Sequence, residues 1–175
     1  MKKEELSALL QRNYTQFIQL IAEISNADFC YAPEGKWSAG QQLDHLVKSV
    51  SPVNMAMGLP KFIPKLLFGT ANRLSKSYEA LVEKYALKLK EGGRATGRFV
   101  PKTVTPTQKD DLTKQLSFLV KRLCRKTEKQ TEEALDIFIL PHPLLGKLTL
   151  REMLYFTAYH VEHHRQLVLR GLENR

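Results

Sequence analysis

The stretch Thr149-Leu-Arg-Glu-Met-Leu-Tyr-Phe-Thr-Ala-Tyr-His-Val-Glu-His-His-Arg-Gln-Leu-Val-Leu169 opens with a T-x-x-E capping box, in which Thr149 and Glu152 satisfy each other's backbone donors. Met153, Phe156, His160, His164 and Leu167 then fall on one face of the helix that follows, with Gly171 as its natural stop. His160 and His164 are one turn apart, about 40° around the axis at roughly 100° per residue. That spacing lets two imidazoles reach one divalent ion. The shared face is apolar, so both rings point inward and need partners; a metal satisfies both, and ordinary hydrogen bonding in a core is the alternative. His163 lies about 60° from His160 and about 100° from His164. It is read as a rim or supporting residue, because three ligands from one turn strain a tetrahedral site.

A third ligand has to come from another element. Ser38-Ala-Gly-Gln41 is a second capping box, and Leu43, Leu46, Val47 and Val50 form the apolar face of the helix it starts. Gln41, His45 and Ser49 run beside that face as an i, i+4, i+8 polar line. Such a line is either a solvent boundary or, opposite a His pair, a third ligand with polar neighbours. Three protein ligands leave a coordination position for water or substrate. Trp37, just before the cap, is read as a staple packing on the helix, with cover over the site as the alternative. Gln41 and Gln42 are candidates for supporting a ligand or touching a substrate, although capping explains Gln41 equally well. His142, between two prolines, is read as shaping a turn. Glu162 lies about 200° from His160 and points away.

The rest of the chain is helical in period. Leu6, Leu10, Phe17, Ile21 and Ile24 mark a first helix over residues 4–25. Pro52 ends or kinks the helix begun at Ser38, and residues 51–70 read as short helical pieces or a folded crossover. Leu74 to Leu89 supports a third helix closed by Gly92-Gly93, and residues 94–106 read as a loop. Thr107-x-x-Asp110 caps a fourth helix carrying Leu112, Leu116, Leu119 and Leu123, which runs to about Thr131. Residues 137–147 form a proline-rich apolar approach to the last helix, and strand alternation is confined to fragments. The expectation is an all-α chain of four principal helices with accessory ones, a single domain over residues 1–175.

The chain of 175 residues holds 27 Lys+Arg against 18 Asp+Glu, a formal net charge of +9. Between Lys61 and Lys129 lie 17 basic and 6 acidic residues; the remainder holds 10 basic and 12 acidic, and the candidate ligands are there. Such a surplus either solvates helix faces or meets an anionic partner. No recognised DNA-binding motif and no basic stripe interleaved with aromatics is present, which argues against nucleic acid. Residues 52–68 alternate apolar residues with Lys61 and Lys65 but hold no sustained amphipathic helix, so a crossover packed on the bundle is expected in preference to a membrane contact. The N-terminus has acids directly after Lys2-Lys3 and no apolar h-region, and no apolar run is long enough to span a bilayer; a cytoplasmic location is expected. Cys30 and Cys124 are read as reduced, small core residues. No Ser-His-Asp set, P-loop or paired carboxylate appears.

Trp37-Ser-Ala-Gly-Gln-Gln-Leu-Asp-His45-Leu resembles the W-S-x-x-Q-x-L-x-H-L segment of the DinB/YfiT-like superfamily. His142-Pro-Leu-Leu-Gly-Lys-Leu-Thr-Leu-Arg-Glu-Met-Leu154, followed by Tyr159-His-Val-Glu-His-His-Arg-Gln166, resembles that family's closing segment. Many members read His-Arg-Gly-Gln after the last ligand; this chain lacks that Gly. The resemblance implies an up-down-down-up four-helix bundle, commonly dimeric, with accessory short helices here in the 51–106 region. It implies a divalent metal, zinc or nickel, on His45, His160 and His164. It further implies kinship with bacillithiol S-transferases, so a thiol-dependent transferase or a hydrolase acting on a small molecule, with a low-molecular-weight thiol as co-reactant. On that view the basic surplus draws in a small anion. The other reading is a non-catalytic stress-response binding protein with a structural or vestigial metal.

Overall fold

The computed structural model describes residues 1–173. Helix α1 (Lys3–Glu23) buries Leu6, Leu10, Tyr14, Phe17 and Ile21, residues spaced by three or four, so that each falls on one stripe. A one-turn helix α2 (Asn26–Cys30) follows, capped by Ser25. Its Phe29 ring lies against the start of α3 (Ala39–Ala56) at Gly40, where a Cβ would come within 2.9 Å of the ring. The glycine is what allows α2 and α3 to approach this closely.

Helix α3 runs through Pro52 rather than stopping there. The proline removes one bond to the Lys48 carbonyl, but Val53, Asn54 and Met57 beyond it are buried and hold the turn in place. Short α4 (Phe62–Phe68) lies in the crossover, as expected for residues 51–70. Helix α5 (Tyr78–Lys90) starts at a Ser77 cap, leaving Leu74 outside it and exposed. A 3₁₀ turn at Gly97–Phe99 interrupts the loop that follows. The capping box before the next helix is Thr105 with Gln108, not Thr107 with Asp110: Pro106 starts a 3₁₀ turn two residues earlier, and α6 (Lys109–Glu128) continues from it.

Helices α1 and α3 each pack against α6 and against the last helix, α8 (Leu150–Glu173), while α5 lies along α8. The chain is mostly helical, with eight α-helices among the described residues and one small sheet. Tyr78 packs edge-on against Tyr155, and Tyr85 against Phe156. No helix among the described residues is long and apolar enough to cross a membrane. Cys124 is buried, whereas Cys30 is exposed at the end of α2, so only one of the two cysteines is a core residue.

The approach to α8 is more ordered than the sequence suggested. One-and-a-half turns of α7 (Glu132–Ile137) lead into an antiparallel hairpin of β1 (Ile139–His142) and β2 (Gly146–Thr149). The three-residue loop closes with Gly146 at φ +78°, the left-handed conformation such hairpins require. His142 shapes this turn: its Nδ1 accepts from the backbone N–H of Leu144 (3.1 Å) and Leu145 (3.0 Å).

Strand β2 delivers the chain directly into α8. The Glu152 carboxylate, with no exposure, accepts from the Thr149 N–H and the Lys76 N–H and takes a two-pronged ion pair from Arg73 at 2.6 and 2.7 Å. Arg151 beside it clamps Asp136 and Glu132. These contacts fix where α8 begins. Gly171 stays helical within α8, so the helix does not stop there.

Two expectations follow. Glu152→Ala removes charge-assisted bonds to a buried carboxylate and lowers stability by about 2–3 kcal/mol in chemical denaturation. His142 titrates at about 4 when folded, because burial and the nearby Lys84 charge disfavour its proton. The unfolded chain binds that proton near the ordinary imidazole value of about 6.5. The stability this neutral ring confers is therefore complete above that value and drains away as pH falls toward 4. The destabilisation caused by His142→Ala should shrink by about 2 kcal/mol between pH 7 and about pH 4.5. A difference that does not change with pH would contradict it.

Candidate metal centre

His45 on α3 and His160 and His164 on α8 meet between the two helices. All three are at most 5% exposed, and one ring nitrogen from each lies within 4.8 Å of the others. The i, i+4 pair projects from one face of α8 because α8 is regular there, and α3 brings His45 opposite it. The Nε2 atoms of His45 and His160 are 3.2 Å apart, and those of His160 and His164 are 2.9 Å apart.

The outer nitrogens of two rings are already assigned. His45 Nδ1 stands 2.7 Å from the Phe99 carbonyl oxygen, which can only accept, so that nitrogen carries the proton. His164 Nδ1 bonds the Gln42 side-chain oxygen in the same sense. The neutral rings of His45 and His164 therefore turn bare Nε2 lone pairs toward His160. His160 Nε2 holds at most one proton and can serve only one of them. Ser49 Oγ reaches the His45 nitrogen at 3.4 Å.

Burial pushes all three rings toward the neutral form, His160 and His164 well below the ordinary imidazole range, and for those two the neighbouring rings add to the effect. Neutral imidazoles are what a divalent cation binds, and one cation satisfies three converging lone pairs. With Zn–N bonds of about 2.0–2.1 Å, a tetrahedral edge measures about 3.3–3.4 Å. Two of the three separations, 2.9 and 3.2 Å, lie just inside that edge and all three nitrogens lie within 4.8 Å of one another, so the donor set is compatible with a metal.

The remaining residues sort themselves by contact. Gln42 is buried on the ligand side, while Gln41 is taken up in the capping box with Ser38. Trp37 does not act only as a staple: its ring lies parallel to His164 at 6.3 Å and 5.0 Å from His45, covering one side of the cluster. His163 is half-buried, with its ring edge-on to Tyr85 and to His164, and lies outside the converging set. Glu162 turns away to Arg165 and Gln166.

Sequence reading missed the segment that closes the His45 side. Asp44 and Lys48 flank His45 and hold the loop after α5. Asp44 accepts from the Lys102 N–H at 2.9 Å, and Lys48 donates to the Val100 carbonyl at 3.0 Å while pairing with Asp44. The i, i+4 spacing of Asp44 and Lys48 was the available signal, but it looks the same as any solvated helix pair. This loop belongs to the basic segment, so that segment borders the site through backbone atoms. Of the two basic helices, α5 packs on α8, and α6 packs on α1 and α3.

No curated protein matches the chain. A family model of the DinB superfamily matches residues 9–168, a span that contains all three histidines and the capping boxes that start α3 and α8. The chain belongs to the DinB superfamily.

Proposed function

We propose that this protein is a divalent-metal-dependent enzyme in which His45, His160 and His164 hold the ion, and that it acts on a small molecule as a thiol-dependent transferase or a hydrolase. The observation that carries the reading is the convergence of three neutral imidazoles through their Nε2 atoms, with the tautomers of His45 and His164 already fixed by their outer partners. An ion held by three protein nitrogens keeps an open position, and there it lowers the pKa of a water or thiol toward neutrality. Zinc or nickel suits an all-imidazole set.

The chain's own residues do the rest. Phe99 and Gln42 lock the tautomers of His45 and His164 and aim their lone pairs. Trp37 shields one side of the cluster from solvent. His163, half-buried beside His164 and Tyr85, stands at the rim as a group able to exchange a proton with a substrate. A small anionic thiol or substrate drawn by the basic residues between Lys61 and Lys129 completes the proposal. So do a single domain over residues 1–175 with the family's up-down-down-up bundle, a homodimer and a cytoplasmic location.

Metal content decides the central point. Protein purified under metal-replete conditions and assayed by mass spectrometry should carry near one equivalent of divalent metal, and His160→Ala should lose it while keeping its helical spectrum. Wild-type protein with almost no bound metal would end the proposal. Gln42→Ala should weaken metal affinity about 10–100-fold, the usual effect of removing a partner of a ligating histidine, and Gln42→Glu should restore much of it. Competition with a chelator measures both; equal affinities for all three proteins would leave Gln42 without this role.

A further inference from the structure

The crossover between α3 and α5 is not packed flat on the body. Helix α4 buries Pro64 and tucks Phe68 partly under, on the face toward β1. Its other side is bare. Phe62 and Leu66, one turn apart, are 68% and 83% exposed, and Leu67 is 63% exposed. Met55 and Leu59, just before α4, are exposed as well. A leucine this exposed on a folded helix has almost no neighbours. The apolar residues therefore stand proud of the surface as a ridge, larger than the scattered single exposures that need no explanation.

From His45 to Tyr78 the chain contains no Asp or Glu. Lys48 is paired with Asp44, and Arg73 and Lys76 with Glu152, whereas Lys61 and Lys65 beside the ridge form no ion pair among the described residues. Lys61 and Lys65 lie on α4's flank, next to Phe62 and Leu66 on the helical wheel. Beside the ridge, between α4 and the hairpin, a cleft of about 350 Å³ is lined by Phe68, Asn72, Arg73, Ile139 and Lys147. The Lys147 ammonium reaches into this edge to the Phe68 carbonyl at 3.2 Å.

We propose that α4 and its flanking lysines are a docking surface for an anionic lipid bilayer, with Phe62, Leu66 and Leu67 entering the acyl boundary and Lys61 and Lys65 at the headgroups. Exposed aliphatic and aromatic side chains flanked by lysines are what such an interface recognises. A second copy of the chain fits poorly. A two-fold contact sets the same patch against itself, so Lys61 and Lys65 would face their own copies with no acid between residues 45 and 78 to offset them. An acidic protein partner fits less well too, because the apolar residues form a ridge rather than a groove. Pro64 and Phe68 fit the sequence expectation of a packed crossover, and the exposure of Phe62, Leu66 and Leu67 on the opposite side is what favours the membrane reading. This surface is independent of the metal proposal.

Flotation of the full-length protein with vesicles tests it. The protein should float with vesicles of phosphatidylcholine plus phosphatidylserine, and much less with phosphatidylcholine alone, at low salt. Raising the salt should release it. The double variant F62S/L66S should lose binding, and K61E/K65E should bind about tenfold or more weakly to anionic vesicles, since each lysine near the surface contributes roughly fivefold. All these residues are exposed, so both variants should keep the wild-type helical spectrum and metal content. No flotation of wild type at low salt overturns the proposal, as does unchanged binding by F62S/L66S. If sedimentation instead shows a wild-type dimer that F62S/L66S converts to monomer, with no vesicle binding, a second copy covers the ridge and the lipid assignment is wrong.

Discussion

Three imidazoles brought edge to edge between two helices cannot all be charged, and that constraint organises the centre of this protein. Burial removes the water that would solvate an imidazolium, and each ring raises the cost of a proton on its neighbours. The rings stay neutral, and the outer nitrogens of His45 and His164 are tied to a backbone carbonyl and a glutamine side chain. Inner lone pairs then face one another with too few protons to go round. Such an arrangement is costly without a cation and would be favourable with one, which makes the cluster able to hold a metal ion.

Much of the scaffold serves to keep those rings in register. Helix α8 supplies two of them, and its starting point is set at the far end, where Glu152, Arg73 and the Thr149 cap lock it to the hairpin and to the segment before α5. A shift of one residue in α8 would rotate the histidines about 100° and separate them from His45. Helix α3 supplies the third ring, and its start is held by the Ser38–Gln41 box and by the close approach of Phe29 at Gly40. The two capping boxes visible in the sequence are thus the registration marks of the two ligand helices.

The helices and the i, i+4 histidine pair were readable because periodicity is a local property of side chains. The i, i+4 histidines and the Leu6–Ile21 stripe declare themselves within a few turns. Features depending on the main chain or on a distant element were hidden. Strands β1 and β2 are four residues each, and Pro141 and Pro143 mask their alternation. Continuation of α3 past Pro52 depends on burial of Val53 and Met57, which no local rule supplies. Gln41 and Gln42 are equal candidates in the sequence for supporting a ligand, and only the helix, by turning Gln42 onto His164, separates the two. The cover role of Trp37 needed two partners from two helices.

The acceptor that orients His45 is the carbonyl of Phe99, a group every amino acid possesses. Its position is set by the path of the loop, which Asp44 and Lys48 grip at Lys102 and Val100. The centre is therefore indifferent to which side chain occupies position 99 and sensitive to how many residues separate α5 from that grip. Over evolutionary time such a loop is free to drift in letters and constrained in length. In an alignment, this part of the centre would leave its trace as a pattern of gaps rather than as a column of identical residues.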